Sequence, residues 1–270
     1  MSGMADTCKP VENNNCWSLP LALMNIWCYG MLILWTLSGI LLFPFALGLC
    51  LLILRWPVDR LMRWYIWIYG RGWLLLMSPF VSFRREQMEN IRPGEPCLFV
   101  VNHLSFFDTY CMALLPVHDI IFAVRAWPFR IFWYAQFMRL ARYMNVEDSS
   151  WFETLDNCKQ AFANNGTVLF FPEGSRSRDG QLQRFYSGGF KAAIAAGVPL
   201  VPLCIDGTDI LLPPGRKQLR PCRIKLRVLE PIDTETFSGN DGPIKLRKLV
   251  KERMATALEE MRRDRRETND

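Results

Sequence analysis

Two short runs carry the side chains with reactive potential: Asn102-His103-Leu104-Ser105-Phe106-Phe107-Asp108 and Phe171-Pro172-Glu173-Gly174-Ser175-Arg176-Ser177. An imidazole titrates near neutrality, so His103 is suited to take the proton of a hydroxyl as its oxygen attacks an acyl carbon. The chain has two histidines, His103 and His118, so chemistry that needs an imidazole has few places to go. Asp108 follows His103 by about one and a half helical turns and so does not share a helix face with it. A turn must fold between them. With His103 where a strand breaks and Asp108 in the first turn of the next helix, the carboxylate accepts from one ring nitrogen and the other faces substrate. That is the logic of a serine hydrolase in which the acceptor hydroxyl replaces the enzyme's serine, with no covalent acyl-enzyme.

The elements that must position these residues are legible nearby. Pro96 to Val101 reads as a short buried strand, and Thr109 to Leu115 has helix-compatible apolar spacing. Thr167 to Phe171 is a second strand, preceded by a helix from Ser150 to Asn164 that closes at Asn165-Gly166 and followed by Pro172, which ends the ladder. Both runs therefore leave strand ends, where ligand sites in α/β sheets gather. Gly174 permits close backbone approach to a ligand, and an arginine fork such as Arg176 grips phosphate in a way a lysine does not. Glu173 is a poor phosphate ligand by charge and is expected to orient Arg176 or to meet an acceptor hydroxyl. Read structurally instead, the first run is a satisfied turn with Asp108 as a helix cap, and the second a charged surface turn.

Together these residues resemble the glycerophospholipid acyltransferases typified by bacterial lysophosphatidic acid acyltransferase. The pattern Asn-His-x-x-x-x-Asp stands at 102–108, Phe-Pro-Glu-Gly-Ser-Arg-Ser at 171–177, and Gly197-Val198-Pro199-Leu200-Val201-Pro202 is similar to a late Val-Pro-x-x-Pro element. By that resemblance His103 is the catalytic base and Asp108 its partner. Glu173, Gly174, Ser175 and Arg176 bind the acceptor, with Arg176 near its phosphate, and Arg125 is the basic residue that opens a further motif. The rest of that motif departs from the pattern, reading Trp127-Pro128-Phe129 and then Asn145-Val146-Glu147, without the expected second arginine. Phe185-Tyr186-Ser187-Gly188 has Tyr186 where the family pattern has lysine, and Lys191 is the nearest substitute. The missing basic groups are those that would read a phosphomonoester, so the reaction is better specified than the acceptor.

Half of the 270 residues are hydrophobic, and ten are tryptophan. The excess is local: Asn13 to Leu54 contains no charged residue, and about 20 apolar residues cross a bilayer. Pro44 is expected to divide this stretch into Leu19–Phe43 and Phe45–Leu54, giving either a span with a shallow second piece or a hairpin dipping into one leaflet, which the resemblance favours. A cleaved signal peptide is not expected, because the stretch is too long and lacks a basic leader. Arg60, Arg63 and Arg71, interleaved with tryptophan and tyrosine, fall on one helical stripe. They are expected to lie at the cytoplasmic interface on anionic lipid.

The expected organisation is a tail over 1–16, a membrane-anchoring helical region over 17–83 and an acyltransferase domain over 84–270. Strands at Asp119 to Val124, Val198 to Ile205 and Arg223 to Val228 add to the two above. The fold class is then α/β, a mixed sheet flanked by helices with an N-terminal membrane-embedded segment. Leu246 to Met261 forms an amphipathic helix behind Gly242-Pro243, and Arg262 to Asp270 is expected to fray. Nine scattered cysteines without a Cys-x-x-Cys pair point to reduced core thiols, no disulfide and no metal.

The net charge of +6 suits an anionic surface or substrate, and no nucleic-acid motif accompanies it. The basic loop Pro213 to Pro221 connects two strands and, as a lesser alternative, touches the phosphates of coenzyme A or an acidic acyl carrier protein. The implied activity is transfer of an acyl chain from acyl-CoA or acyl-ACP, with no cofactor, to the free hydroxyl of a lysophospholipid. 1-Acyl-sn-glycerol-3-phosphate is the leading acceptor, and the site is the cytoplasmic face of a membrane, the inner one if bacterial. Alternatives are another acceptor such as lyso-ornithine lipid, a thioesterase that uses water, and a catalytically silent membrane adaptor.

Overall fold

The computed structural model describes residues 18–269. The expected tail over 1–16, with Cys8 and Cys16, lies outside them. Seven strands form one sheet in the order β1-β7-β6-β2-β5-β3-β4. They are β1 (Val81–Glu86), β2 (Cys97–Val101), β3 (Ile120–Val124), β4 (Met144–Asn145), β5 (Thr167–Phe170), β6 (Leu200–Asp206) and β7 (Cys222–Val228). The central strands β6, β2, β5, β3 and β4 run parallel. Strand β7 runs antiparallel to β6 and carries β1 parallel beside it. β2, β5 and β6 are buried throughout, as continuous Val, Leu, Ile and Phe runs require when both sheet faces are covered.

Helix α1 (Leu19–Leu49) and helix α2 (Val58–Met77) precede the sheet. Contrary to the expected division at Pro44, α1 continues through it to Leu49 and ends in a π-helical turn, Cys50–Leu54, before Arg55 adopts φ 51°. Proline removes one helix hydrogen bond, but Phe43 beside it is held edge-on by Tyr65 and Phe137, with ring centroids 5.2 and 5.8 Å away. Such packing holds the helix at the turn that leads into the defect. α1 lies along α2: Trp35 donates to the Tyr69 carbonyl at 2.9 Å, Thr36 meets the Tyr69 hydroxyl at 2.7 Å, and Tyr65 donates to the Gly39 carbonyl. Gly72 leaves the room that the Trp35 ring occupies, because a Cβ there would come within 2.2 Å of it.

Of the arginine stripe expected at the lipid interface of α2, Arg63 is turned inward, whereas Arg60 is half-buried and Arg71 is exposed. Arg63 is buried, bonded to Asp59, Asp119 and the Ala141 carbonyl, while Arg60 pairs with Asp119. Arg71 donates to the Ala113 carbonyl and lies over the Trp67 ring at 4.1 Å. Trp73 is buried against Phe107 at 4.5 Å between centroids, and Trp67 donates to the Leu115 carbonyl. Desolvating a guanidinium is costly unless it is paired, and the acids that pair Arg60 and Arg63 are Asp59 on α2 itself and Asp119 just before β3. The amphipathic period was right, but for Arg60 and Arg63 the partners are acids of the same chain. The outward side of α1 stays apolar and exposed, with Leu23, Ile26, Ile33, Leu37, Leu41 and Phe45 on it.

Six further helices cover the sheet: α3 (Asp108–Cys111), α4 (Phe132–Leu140), α5 (Trp151–Ala163), α6 (Gly188–Ala196), α7 (Thr208–Leu211) and α8 (Gly242–Asn269). α5 begins with a capping box in which Ser150 accepts from the Glu153 amide and Glu153 accepts from the Ser150 amide. α8 does not fray after Met261. It continues to Asn269 because Arg262 and Arg265 reach the buried Asp206 at 3.6 and 3.1 Å. Cys28, Cys50, Cys97, Cys111, Cys158 and Cys204 are free and buried, and Cys222 is free and half-buried.

Candidate active site

Because β2, β5 and β6 are parallel and in register, with Val100 opposite Phe170 and Val101 opposite Leu203, their C-terminal ends open at one edge. His103, Glu173 and Thr208 follow those three ends. Asn102 extends the β2–β6 ladder with its side chain, donating to the Ile205 carbonyl at 2.9 Å and accepting from the Ile205 amide at 2.8 Å. Val101 and Asn102 are thereby fixed as strand, and the turn starts at His103.

That turn brings His103 and Asp108 together. Nδ1 of His103 is 2.7 Å from Oδ2 of Asp108, a fully buried carboxylate. The same oxygen accepts from the amides of Leu104 at 2.6 Å and Ser105 at 2.8 Å, and Oδ1 accepts from the Thr208 hydroxyl at 2.5 Å. With donors on both oxygens the carboxylate is stabilised as an acceptor, so the Nδ1 proton is assigned to the imidazole and the lone pair to Nε2. Nε2 has no hydrogen-bond partner among the described residues, and the side chain is 18% exposed. The ring stacks on Phe171, centroids 4.3 Å apart. Such an imidazole is held on one side and open on the other, the geometry of a general base.

Glu173 is placed differently from expectation. Its Oε1 accepts from the His103 amide and its Oε2 from the Gln183 amide, each at 2.9 Å. No ion pair joins it to Arg176 among the described residues. Burial raises its pKa, while the amides of Gln183 and His103 and the charge of His103 pull the other way. Glu173 thus ties the ends of β2 and β5 to the following loop, with help from the Ser177 amide, which donates to the His103 carbonyl at 2.8 Å.

The remaining residues singled out from sequence sit around this core without a comparable bond network. Gly174 has φ +67° and takes the Tyr186 ring against it, where a Cβ would come within 3.1 Å of that ring. Ser175 and Arg176 are exposed, and Arg176 makes no ion pair among the described residues. Arg125 leaves the end of β3 on the same edge but is paired with Glu147 at 2.5 Å, whose other oxygen accepts from the Ala126 amide. Those bonds hold the Glu147 carboxyl down at about 2. Lys191 lies over the Trp151 ring at 6.0 Å. Thr208 and Gln183 were not legible as site residues, and Asn102 was read only as part of the motif at 102–108. Thr208 is 100 residues from Asp108 in sequence, and only the β2–β6 pairing brings them together. The one signal for it was its position just past a strand end.

Residues 82–206 match the family model described as Acyltransferase. A chloroplastic 1-acyl-sn-glycerol-3-phosphate acyltransferase of Brassica napus is 30% identical over 161 residues, 58% of this chain and 47% of that protein. One of Limnanthes douglasii is 26% identical over 208 residues, 74% and 72% of the two chains. The chain spans about half the length of the first relatives it matches. The crystal structure of the 1-acyl-sn-glycerophosphate acyltransferase PlsC from Thermotoga maritima superposes with a TM-score of 0.73 at 25% identity, covering 90% of this chain and 97% of that one. The family match spans the strand ends that carry His103 and Glu173, and the architecture is similar over nearly the whole chain to that of the Thermotoga maritima acyltransferase.

Proposed function

We propose that the protein transfers an acyl chain from a thioester to the free hydroxyl of a lysophospholipid, 1-acyl-sn-glycerol-3-phosphate first among acceptors. One observation carries the reading: an imidazole whose Nδ1 is bonded to a buried, donor-saturated Asp108 while Nε2 is left without a protein partner. In this mechanism Nε2 takes the proton of the acceptor hydroxyl as its oxygen bonds to the thioester carbon. The tetrahedral intermediate then collapses, the carbon–sulfur bond breaks, and the departing thiolate recovers the proton from the imidazolium. Asp108 stabilises that imidazolium and holds its tautomer.

The donor is acyl-CoA or acyl-ACP, and no cofactor enters the scheme. Arg176, Ser175 and Gly174 hold the acceptor headgroup with Arg125. The stretch Leu19–Ile53 is long and apolar enough to cross a membrane, with 6% of its most apolar window buried. In this reading residues 17–83 anchor the protein to the cytoplasmic face of a membrane, where lysolipid and product partition, and 84–270 catalyse. A second reading, an acceptor other than a phosphomonoester such as a lyso-ornithine lipid, is favoured by two observations. Arg125 is already neutralised by Glu147, and Tyr186 is exposed over Gly174.

The test uses the full chain in detergent with labelled acyl-CoA or acyl-ACP and a panel of lysolipids, comparing native protein with His103→Ala. Labelled diacyl product that falls by a factor on the order of 100–10,000 in the variant is the expected result. Free fatty acid alone would make the protein a thioesterase, and lipid binding without turnover an adaptor.

A further inference from the structure

The sheet order puts His103 between two dissimilar flanks. Arg176 and Arg125, the acceptor-side arginines, follow β5 and β3 on one side of β2. On the other side, β7 runs antiparallel to β6, so its beginning and that of β1 open at the same edge as His103. A cavity of about 430 Å³ lies there, lined by Ser78, Phe80 and Ser82 ahead of and within β1, Ile210 of α7, and Arg223 and Arg265. Its size is within the range of about 300–1,000 Å³ common for small-molecule sites. Ile210 is in the same short helix as Thr208, which holds Asp108, and two strand spacings, roughly 10 Å, separate β7 from β2.

The cavity's charge is unbalanced in a specific way. Along the α8 side of β7, Arg223, Lys225 and Arg227 alternate with the core residues Ile224, Leu226 and Val228. Lys225 is paired with Glu86 and Asp264, and Arg227 with Glu86 and Glu260. Arg265 is paired with Asp206. Arg223, half-buried at the cavity wall, makes no ion pair among the described residues, although it lines an adjacent cleft together with Asp206 and Asp264. An unpaired guanidinium in a concave site with nearby hydroxyls is a phosphate receptor by chemistry.

We infer that this cavity binds a phosphate of the thioester donor, so that donor and acceptor reach His103 from opposite flanks of β2. The inference rests on the acyltransferase reading and adds a second substrate site to it. The donor phosphate belongs either to a nucleotide, as in acyl-CoA, or to the pantetheine arm that acyl-CoA and a carrier protein share.

The experiment titrates adenosine bisphosphate and phosphopantetheine separately into the full chain in detergent by calorimetry, for native protein, Arg223→Ala and Ser82→Glu, with melting temperatures as the folding control. It also measures KM for acyl-CoA and for the lysolipid. Expected is a loss of about tenfold or more in affinity for at least one analogue in both variants, with an equal rise in donor KM and an unchanged acceptor KM. Loss confined to adenosine bisphosphate assigns the nucleotide phosphate, and loss with phosphopantetheine assigns the arm. Folded variants that bind both analogues as native protein does overturn the site. Absence of acyl transfer with every donor and lysolipid would sink the acyltransferase reading, while the titration still decides the cavity.

Discussion

The two ends of the candidate site are built to different standards. At the catalytic end, Asp108 is fully buried with four hydrogen bonds, and His103 is fixed through its ring, its amide and its carbonyl. At the acceptor end, Arg176 and Ser175 are exposed and Arg125 is half-exposed in a surface ion pair. The contrast follows from what each end does. A general base must be in position before the reaction, because reorganisation at the moment of proton transfer raises the barrier. A headgroup clamp can order on its ligand, since the phosphate supplies the charge that fixes it. In the proposed reaction the base is therefore held firmly by this fold and the acceptor only lightly.

The comparison breaks most directly at Asp108. Asp108→Asn keeps the shape but turns an acceptor into a partial donor facing Nδ1 and two amides, so kcat is expected to fall on the order of a thousandfold or more. A steady-state assay that finds kcat within tenfold of native would show that preorganisation at this end is not what drives turnover.

Next in size is Thr208→Val, which leaves Oδ1 of Asp108 without its hydroxyl donor in a buried place. The expected cost is about 1–3 kcal/mol in unfolding free energy, together with a smaller fall in kcat than at Asp108, read by denaturant titration and by the same assay. If stability drops and kcat does not, Thr208 supports the fold and not the base.

The smallest effect sharpens the other half of the contrast. Arg176→Ala is expected to raise acceptor KM about tenfold, as for one charge-assisted hydrogen bond, with kcat and melting temperature nearly unchanged. A loss in kcat equal to that at Asp108 would place Arg176 in the transition state and erase the distinction between the two ends.

The hydrophobic runs of β2, β3, β5 and β6 were legible because strands buried on both faces leave unbroken apolar stretches, and β7 was legible by its alternation of basic and apolar residues. The pair of β1 was not, since Val81–Glu86 mixes arginine and glutamate at a sheet edge where they pair with β7. α2 shows a subtler failure. Its periodicity was read correctly, yet the spacing of Arg60 and Arg63 is the same whether they meet lipid headgroups or Asp119 of the same chain. Of the two roles expected of Glu173, the pairing with Arg176 is not made, because an acid beside an arginine suggests an ion pair when its bonds go to two backbone amides.

By itself the sequence determined the reactive types, the strand ends that present them and the apolar N-terminal stretch, all of which depend on local composition and period. Tertiary structure alone decided that Thr208 completes the Asp108 site, that Glu173 locks the His103 amide, that α2 turns Arg63 inward and that an unpaired Arg223 stands across the sheet from the acceptor side. Each of these joins segments far apart in the chain, and the choice among possible partners for a charge or a hydrogen bond is made by strand order and register, which no local pattern encodes.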